Sequence, residues 1–178
     1  MSYKYETELE TTRLLLRPMQ ATDLEALLCI FTDPKVMAAF ESAPFDRHQM
    51  AAWLQRNLDH QATWGYGLYA VTLKTDGYLI GDCGLEVMDV EGTQVVELGY
   101  DFRSQYWNQG FATEAALAVR DYAFHTLGLP QLISLIQVGN VASQRVVEKI
   151  GMERISEFTR YGHRYWKYGL ERAVMRGR

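Results

Sequence analysis

Tyr106-Trp107-Asn108-Gln109-Gly110-Phe111-Ala112-Thr113-Glu114-Ala115 reads as the mouth of a helix. A strand-like run precedes it. Gly110 and Ala112 stand where bulky side chains would keep a ligand from the backbone. The first turn of a helix presents N–H groups without intrahelical partners at the positive end of its dipole. A mouth with small side chains is therefore a ready site for a phosphate or pyrophosphate. The chain has no G-x-x-x-x-G-K-[ST] loop, which argues against a nucleoside triphosphatase. Gly65-Tyr66-Gly67-Leu68-Tyr69-Ala70 fits the letters of the dinucleotide fingerprint, but it leads into alternating strand residues rather than a helix, so it lacks the context that gives the motif meaning.

Working outward, residues 66–73, 79–88 and 93–102 are β-rich runs separated by Thr-Asp-Gly and Glu-Gly turns, which predicts consecutive antiparallel strands. Residues 110–126 form a helical pattern with Phe111, Ala115, Val119 and Tyr122 on one face, stopped by Gly128 and Pro130. A nearly all-apolar strand follows at 132–138, then a helix at 140–150 ended by Gly151, then strands at 154–161 and 165–172. On the N-terminal side, 14–16 read as a strand ending at Pro18. Thr22 or Asp23 caps a helix with Leu24, Leu27, Leu28 and Phe31 inward. Asp33-Pro34 starts a short helix through Val36 and Met37. Asp46 opens a third, with Met50, Trp53, Leu54 and Leu58 as its inward stripe. The strand–helix–strand unit over 93–138 predicts a right-handed parallel crossover. The expected class is α+β, with a mixed sheet antiparallel at first and parallel at its centre.

The length of 178 residues fits one domain spanning 1–178. The net charge of −4 does not favour nucleic acid or an anionic membrane. Cys29 and Cys83 lie far apart in apolar contexts and read as two buried free thiols of a reducing compartment. The N-terminal MSYKYETELETTR has no apolar core of a secretory signal, and no run of ~18 apolar residues occurs, so a cytoplasmic protein is expected. His48, His60, His125 and His163 lack ligand spacing, so no metal is expected.

Several segments together resemble one family: Glu97-Leu98-Gly99-Tyr100-Asp101-Phe102, the helix mouth at 106–115, VGNVASQRVVEKIGM at 138–152, TRLLLRP at 12–18, DPKVM at 33–37 and IGDCG at 80–84. The chain is similar to the GNAT acyltransferase superfamily, and most of all to the ribosomal-protein N-terminal alanine acetyltransferases and their relatives. The resemblance implies a mixed central sheet of about seven strands with a splayed parallel pair at its centre, flanked by about four helices. It also implies acetyl-CoA as co-substrate. Pantetheine would bond the exposed backbone of Tyr100 and Phe102, and the pyrophosphate would rest on the amides of Asn108, Gln109, Gly110, Phe111, Ala112 and Thr113. Asn140, a preferred N-cap in its own right, would also meet the pantetheine arm. Trp107 stands where the superfamily's phosphate loop usually has Gln or Arg.

Acetyl transfer to an amine needs a base, a stabilised oxyanion and a tolerable leaving group. The backbone N–H near Tyr100 would polarise the carbonyl. Glu97 is the candidate base: strand alternation puts it with Asp101 on one face, opposite Val96, Leu98, Tyr100 and Phe102. A carboxylate paired with an arginine or capping backbone is the structural alternative. The superfamily's usual acid, a tyrosine, corresponds to Val147 here, which puts Ser143 forward as the group on the sulfur; the alternative is that Ser143 only helps cap its helix. Tyr161 and Tyr165 are further candidates to reach the site. Glu8, Glu10 and Arg13 read as a solvated lead-in. The acceptor pocket would lie between the early helices, about 32–45, and the last hairpin, about 157–164. A protein N-terminus, a polyamine, an antibiotic amine and a small metabolite all fit as acceptors. A non-catalytic acyl-CoA-binding module is the alternative from another class. An edge strand near the C-terminus leaves room for a homodimer.

Overall fold

Alternating apolar residues build one eight-stranded sheet. A computed structural model describes residues 7–160 and 162–172; Tyr161 and the first six residues of the polar N-terminal segment lie outside the described residues. The strands are β1 (Leu9–Glu10), β2 (Leu14–Pro18), β3 (Leu68–Leu73), β4 (Leu79–Val90), β5 (Thr93–Phe102), β6 (Gln131–Gln137), β7 (Glu153–Arg160) and β8 (His163–Glu171). Their order is β1-β2-β3-β4-β5-β6-β8-β7. Every neighbouring pair is antiparallel except β5 and β6. The strand beyond the expected seven is β1, whose two residues are too few to show a period.

The helices are α1 (Leu24–Phe31), α2 (Pro34–Ala39), α3 (Arg47–Trp64), α4 (Phe111–Asp121) and α5 (Val141–Lys149), with a π-helical turn over Tyr122–Thr126 continuing α4. Three begin at side-chain caps. Asp33 accepts the Lys35 N–H at 2.9 Å, Asp46 and Gln49 form a reciprocal capping box, and Asn140 accepts the Ser143 N–H at 3.1 Å. Asp23 does not cap α1 with its side chain; its carboxylate binds Arg17 at 2.6 Å and the Gln20 N–H at 2.8 Å.

The two faces of the sheet bury two cores. One joins Leu14, Leu16, Tyr69, Val71, Cys83, Leu85, Leu98 and Phe102 to Phe111, Ala115, Ala116 and Val119 of α4 and Val147 of α5. The other joins Leu68, Ala70 and Leu79 to the inward stripes of α1, α2 and α3, where Trp53 packs on Phe31 at 5.1 Å between ring centroids. Cys83 is buried as expected. Cys29 is not: α1 turns Leu27, Ile30 and Phe31 inward, which leaves Cys29 on its exposed face.

The β4–β5 register sets up the site. Asp82 lies opposite Asp101, Gly84 opposite Gly99 and Glu86 opposite Glu97, so all six residues share one face. Cys83, Leu85, Leu98, Tyr100 and Phe102 take the other, with the α4 core. A Cβ on Gly84 would stand 2.2 Å from the Gly67 carbonyl oxygen and 2.6 Å from the Leu68 Cα, whereas one on Gly99 would meet nothing within 4 Å. Gly84→Ala is therefore expected to lower unfolding stability by ~1–3 kcal/mol, and Gly99→Ala, directly across the same rung, to change it by less than ~0.5 kcal/mol. Urea denaturation of the two variants checks this; equal losses would contradict the close approach at Gly84.

Candidate active site

The parallel pair at the centre of the sheet opens almost as soon as it forms. β5 and β6 pair at one position, Glu97 with Ile133. Beyond it, side chains bridge the strands: Ser134 Oγ donates to the Leu98 carbonyl at 2.6 Å, and the Leu135 N–H donates to Glu97 Oε1 at 3.0 Å. In a continuing ladder the Leu135 N–H would go to the Leu98 carbonyl; here a side chain meets each group. The Arg103 N–H bonds the Ile80 carbonyl, so by antiparallel alternation the even-numbered residues Leu98, Tyr100 and Phe102 turn their backbone groups toward β6. That edge of β5 borders the opening. The Phe102 carbonyl there accepts the Trp107 indole N–H at 2.8 Å, which leaves its N–H and the backbone of Tyr100 along the edge.

The strand leads straight to the mouth of α4. Gly110 is the N-cap in the left-handed region, φ 82°, and Asn108 is left-handed too, φ 58°. Gly110 brings no capping side chain, so the first amides of α4, from Phe111 to Thr113, have neither an intrahelical partner nor a side-chain cap from it. Asn108, Gln109 and Gly110 are exposed, and two left-handed residues in three shape the loop as a concavity suited to an anion. Arg13 braces it: Nε bonds Glu114 at 2.7 Å, Nη1 bonds the Gln109 carbonyl at 3.0 Å, and the guanidinium lies 4.1 Å from the Phe111 ring centroid. Arg13 stays solvent-exposed as expected, and its contacts also make it part of the loop's scaffold. Glu114, whose pKa burial alone would raise, is held below the usual carboxylate range by hydrogen bonds from Thr11 and Arg13.

Across the opening stands α5. Asn140 Oδ1 is committed to the Ser143 N–H, and the Tyr100 hydroxyl donates to the Ser143 carbonyl at 2.7 Å, tying β5 to the α5 mouth. The Ser143 side chain is partly open. Val147 is fully buried in the core, so the position offers no proton donor.

The acid-bearing face of β4 and β5 carries the site's electrostatics. Burial pushes Glu97 up to about 8, against its hydrogen bond from Leu135 and the pull of Arg160, and Glu86 and Asp101 add to the rise. Glu97 keeps part of its surface open to solvent, yet enough protein surrounds the carboxyl to hold a proton near neutrality. It therefore caps backbone through Oε1, while Oε2 accepts no hydrogen bond among the described residues. Asp101 rises to about 7 through burial and the nearby Glu86; Asp82 rises well above its ordinary range through burial, then Asp101 and Glu86. His60 is no base. Its Nε2 accepts the Val87 N–H at 2.9 Å and Nδ1 lies 3.1 Å from the Tyr66 carbonyl. Burial lowers its pKa, which keeps it a neutral tie between α3 and the sheet.

The early helices and the last hairpin do meet, where His163 Nδ1 lies 2.8 Å from Glu41 Oε2. Sequence reasoning missed Arg13, Ser134, Asp82 and Glu86. The last two are visible as carboxylates in a strand pattern, but only the register shows that they face Asp101 and Glu97. Among the described residues no three His, Cys, Asp or Glu side chains converge as a metal site, and no helix is long and apolar enough to cross a membrane.

The comparisons with known proteins match this geometry. The family described as Acetyltransferase (GNAT) domain matches residues 13–153. The uncharacterized protein YkkB of Bacillus subtilis (strain 168) is 36% identical over 148 residues, covering 83% of this chain and 86% of that protein. The uncharacterized N-acetyltransferase YnaD of the same organism is 30% identical over 159 residues, covering 88% and 90%. The crystal structure of the acetyltransferase from Agrobacterium tumefaciens str. C58 has a TM-score of 0.81 at 28% identity, covering 93% of this chain and 94% of that one. The chain belongs to the GNAT acetyltransferase family and is an acetyl-CoA-dependent acetyltransferase.

Proposed function

We propose that the protein passes acetyl directly from acetyl-CoA to a primary amine, with Glu97 as the base. The supporting observation is the position of Glu97 at the one rung of the β5–β6 pair, with one carboxylate oxygen that accepts no hydrogen bond among the described residues and a pKa of about 8. The β5 edge at Tyr100 and Phe102 holds the pantetheine arm, and the amides from Asn108 to Thr113 receive the pyrophosphate. Asn140, at the mouth of α5, flanks the arm. The ammonium of the acceptor gives a proton to Glu97, directly or through water. The free amine attacks the thioester carbonyl, the C–N bond forms, and the oxyanion is held by the Tyr100 N–H. The C–S bond then breaks, its electron pair leaves on sulfur, and the second proton of the nitrogen passes to the thiolate. Ser143 stands beside that sulfur. No dedicated acid is required, because a thiolate is a tolerable leaving group.

Similarity to the ribosomal-protein branch would make the acceptor a polypeptide N-terminus. The carboxylate-bearing face beside Glu97 instead favours a small cationic amine, and that is the acceptor class adopted here. Thiol release from acetyl-CoA with amine and peptide acceptors tests the activity.

A base with a raised pKa works only once its proton is gone, so kcat/KM is expected to climb as pH rises through about 8 and then level off. Glu97→Gln should lower the rate by ~10²-fold or more and abolish that limb. A limb that persists in Glu97→Gln would belong to the acceptor and contradict the assignment. Asn108→Asp adds a negative charge at nearly constant shape in a left-handed position that Asp tolerates. It is expected to raise the Kd of coenzyme A ~10-fold, a loss of ~1.4 kcal/mol, with an unchanged melting temperature. Unchanged affinity in calorimetry would remove the pyrophosphate from this loop.

A further inference from the structure

Four carboxylates share one face of the β4–β5 ladder, and among the described residues no cation acts on the inner pair. Asp82 stands directly opposite Asp101, and four residues along each strand Glu86 stands opposite Glu97. Like charges across a rung repel, and a buried carboxylate without a partner is costly. Asp82 is fully buried, and neither of its oxygens has a hydrogen-bond partner among the described residues. Arg56 of α3 acts on Glu86 and Arg160 of β7 on Glu97, whereas no cation is among the groups acting on Asp82 or Asp101.

Between the two pairs lie Gly84 and Gly99. Gly84 is roofed by the Gly67 backbone, while the space over Gly99 is open. Glu97, Gly99 and Asp101 thus follow one another along one face of β5, all three partly open to solvent, with the buried Asp82 beside Asp101. A chelated metal does not suit this face, since no three ligating side chains converge among the described residues. The Asp82–Asp101 pair sits at one end of this stretch and the proposed base at the other.

Resting on the reading of Glu97 as the base, we propose that the acceptor is a linear di- or polyamine. Its reacting nitrogen lies at Glu97, and a second ammonium group is received by Asp101 with Asp82 behind it. Four residues at ~3.4 Å each put the Glu97 and Asp101 Cα atoms roughly 14 Å apart. Both side chains project from the same face of the strand, so the span suits nitrogens several methylenes apart. A monoamine fills only the outer half and leaves the inner carboxylates unpaired, which is where the discrimination arises.

Steady-state thiol release by the full chain at saturating acetyl-CoA tests this, with n-butylamine, putrescine, spermidine and an alanine-initiated peptide free of Lys and Arg as acceptors. The kcat/KM for spermidine is expected to exceed that for n-butylamine by ~10²-fold or more. Asp101→Asn and Asp82→Asn should each shrink that ratio at least ~10-fold, through KM rather than kcat. A merely structural role for the pair would lower both rates and leave the ratio alone. If Asp82→Asn fails to fold, Asp101→Asn carries the test. Equal kcat/KM for spermidine and n-butylamine, or a ratio unchanged in Asp101→Asn, overturns the proposal. A peptide that outpaces spermidine overturns it too, while amine acetylation stands. Absence of thiol release with every acceptor would instead sink the proposed function on which it rests.

Discussion

The site depends on a single parallel rung. Glu97 and Ile133 pair, and the strands then part. A complete ladder would have spent the backbone groups of Tyr100 and Phe102 on β6. Opening it leaves an edge inside the sheet, where a ligand can bond as a strand would. Open edges invite the wrong partner, and here the gap is framed by Ser134 on Leu98, Glu97 on Leu135, and the Tyr100 hydroxyl on Ser143. Each of these ties uses a side chain, and none of them takes up the backbone of Tyr100 or Phe102. The same β5 edge ends at the Gly110-capped mouth of α4, which sets an extended-chain site and an anion site end to end.

In the proposed mechanism Glu97 meets a structural and a chemical demand at once. One oxygen holds the Leu135 N–H, which fixes the carboxyl at the opening; burial raises its pKa to about 8. Had burial been relieved by a paired arginine, the carboxylate would be a poor base near neutral pH. The backbone cap orients the group without neutralising it. Asp82 is buried more deeply than Glu97 or Asp101, and neither aspartate has a backbone cap among the described residues, so their burial and repulsion would favour a cation at that end of β5.

Much of this fold was legible because local chemistry agreed with tertiary structure. Asp33, Asp46 and Asn140 start helices where their side chains predict, and the alternation of Leu98, Tyr100 and Phe102 against Glu97 and Asp101 is realised on β5. What was not legible depends on contacts distant in sequence. Arg13 is exposed, as it reads, but its ties to Glu114 and Phe111 come from α4, about a hundred residues on. Cys29 sits in an apolar run, yet a helix buries only part of its circumference, and Cys29 falls on the rest. The opposition of Asp82 and Asp101 follows from hairpin register, which a shift of one residue would have reversed. The cap on Glu97 exists only because β6 diverges, which no period in the sequence records.

The central claim is that coenzyme A occupies the opened β5 edge and the α4 mouth. Amide chemical-shift mapping during a coenzyme A titration tests it most directly. The largest shifts are expected at Tyr100, Phe102 and the amides from Asn108 to Thr113. Shifts concentrated instead at the depression between the β4–β5 turn and β7, lined by Asp89, Glu91, Phe158 and Arg160, would contradict it.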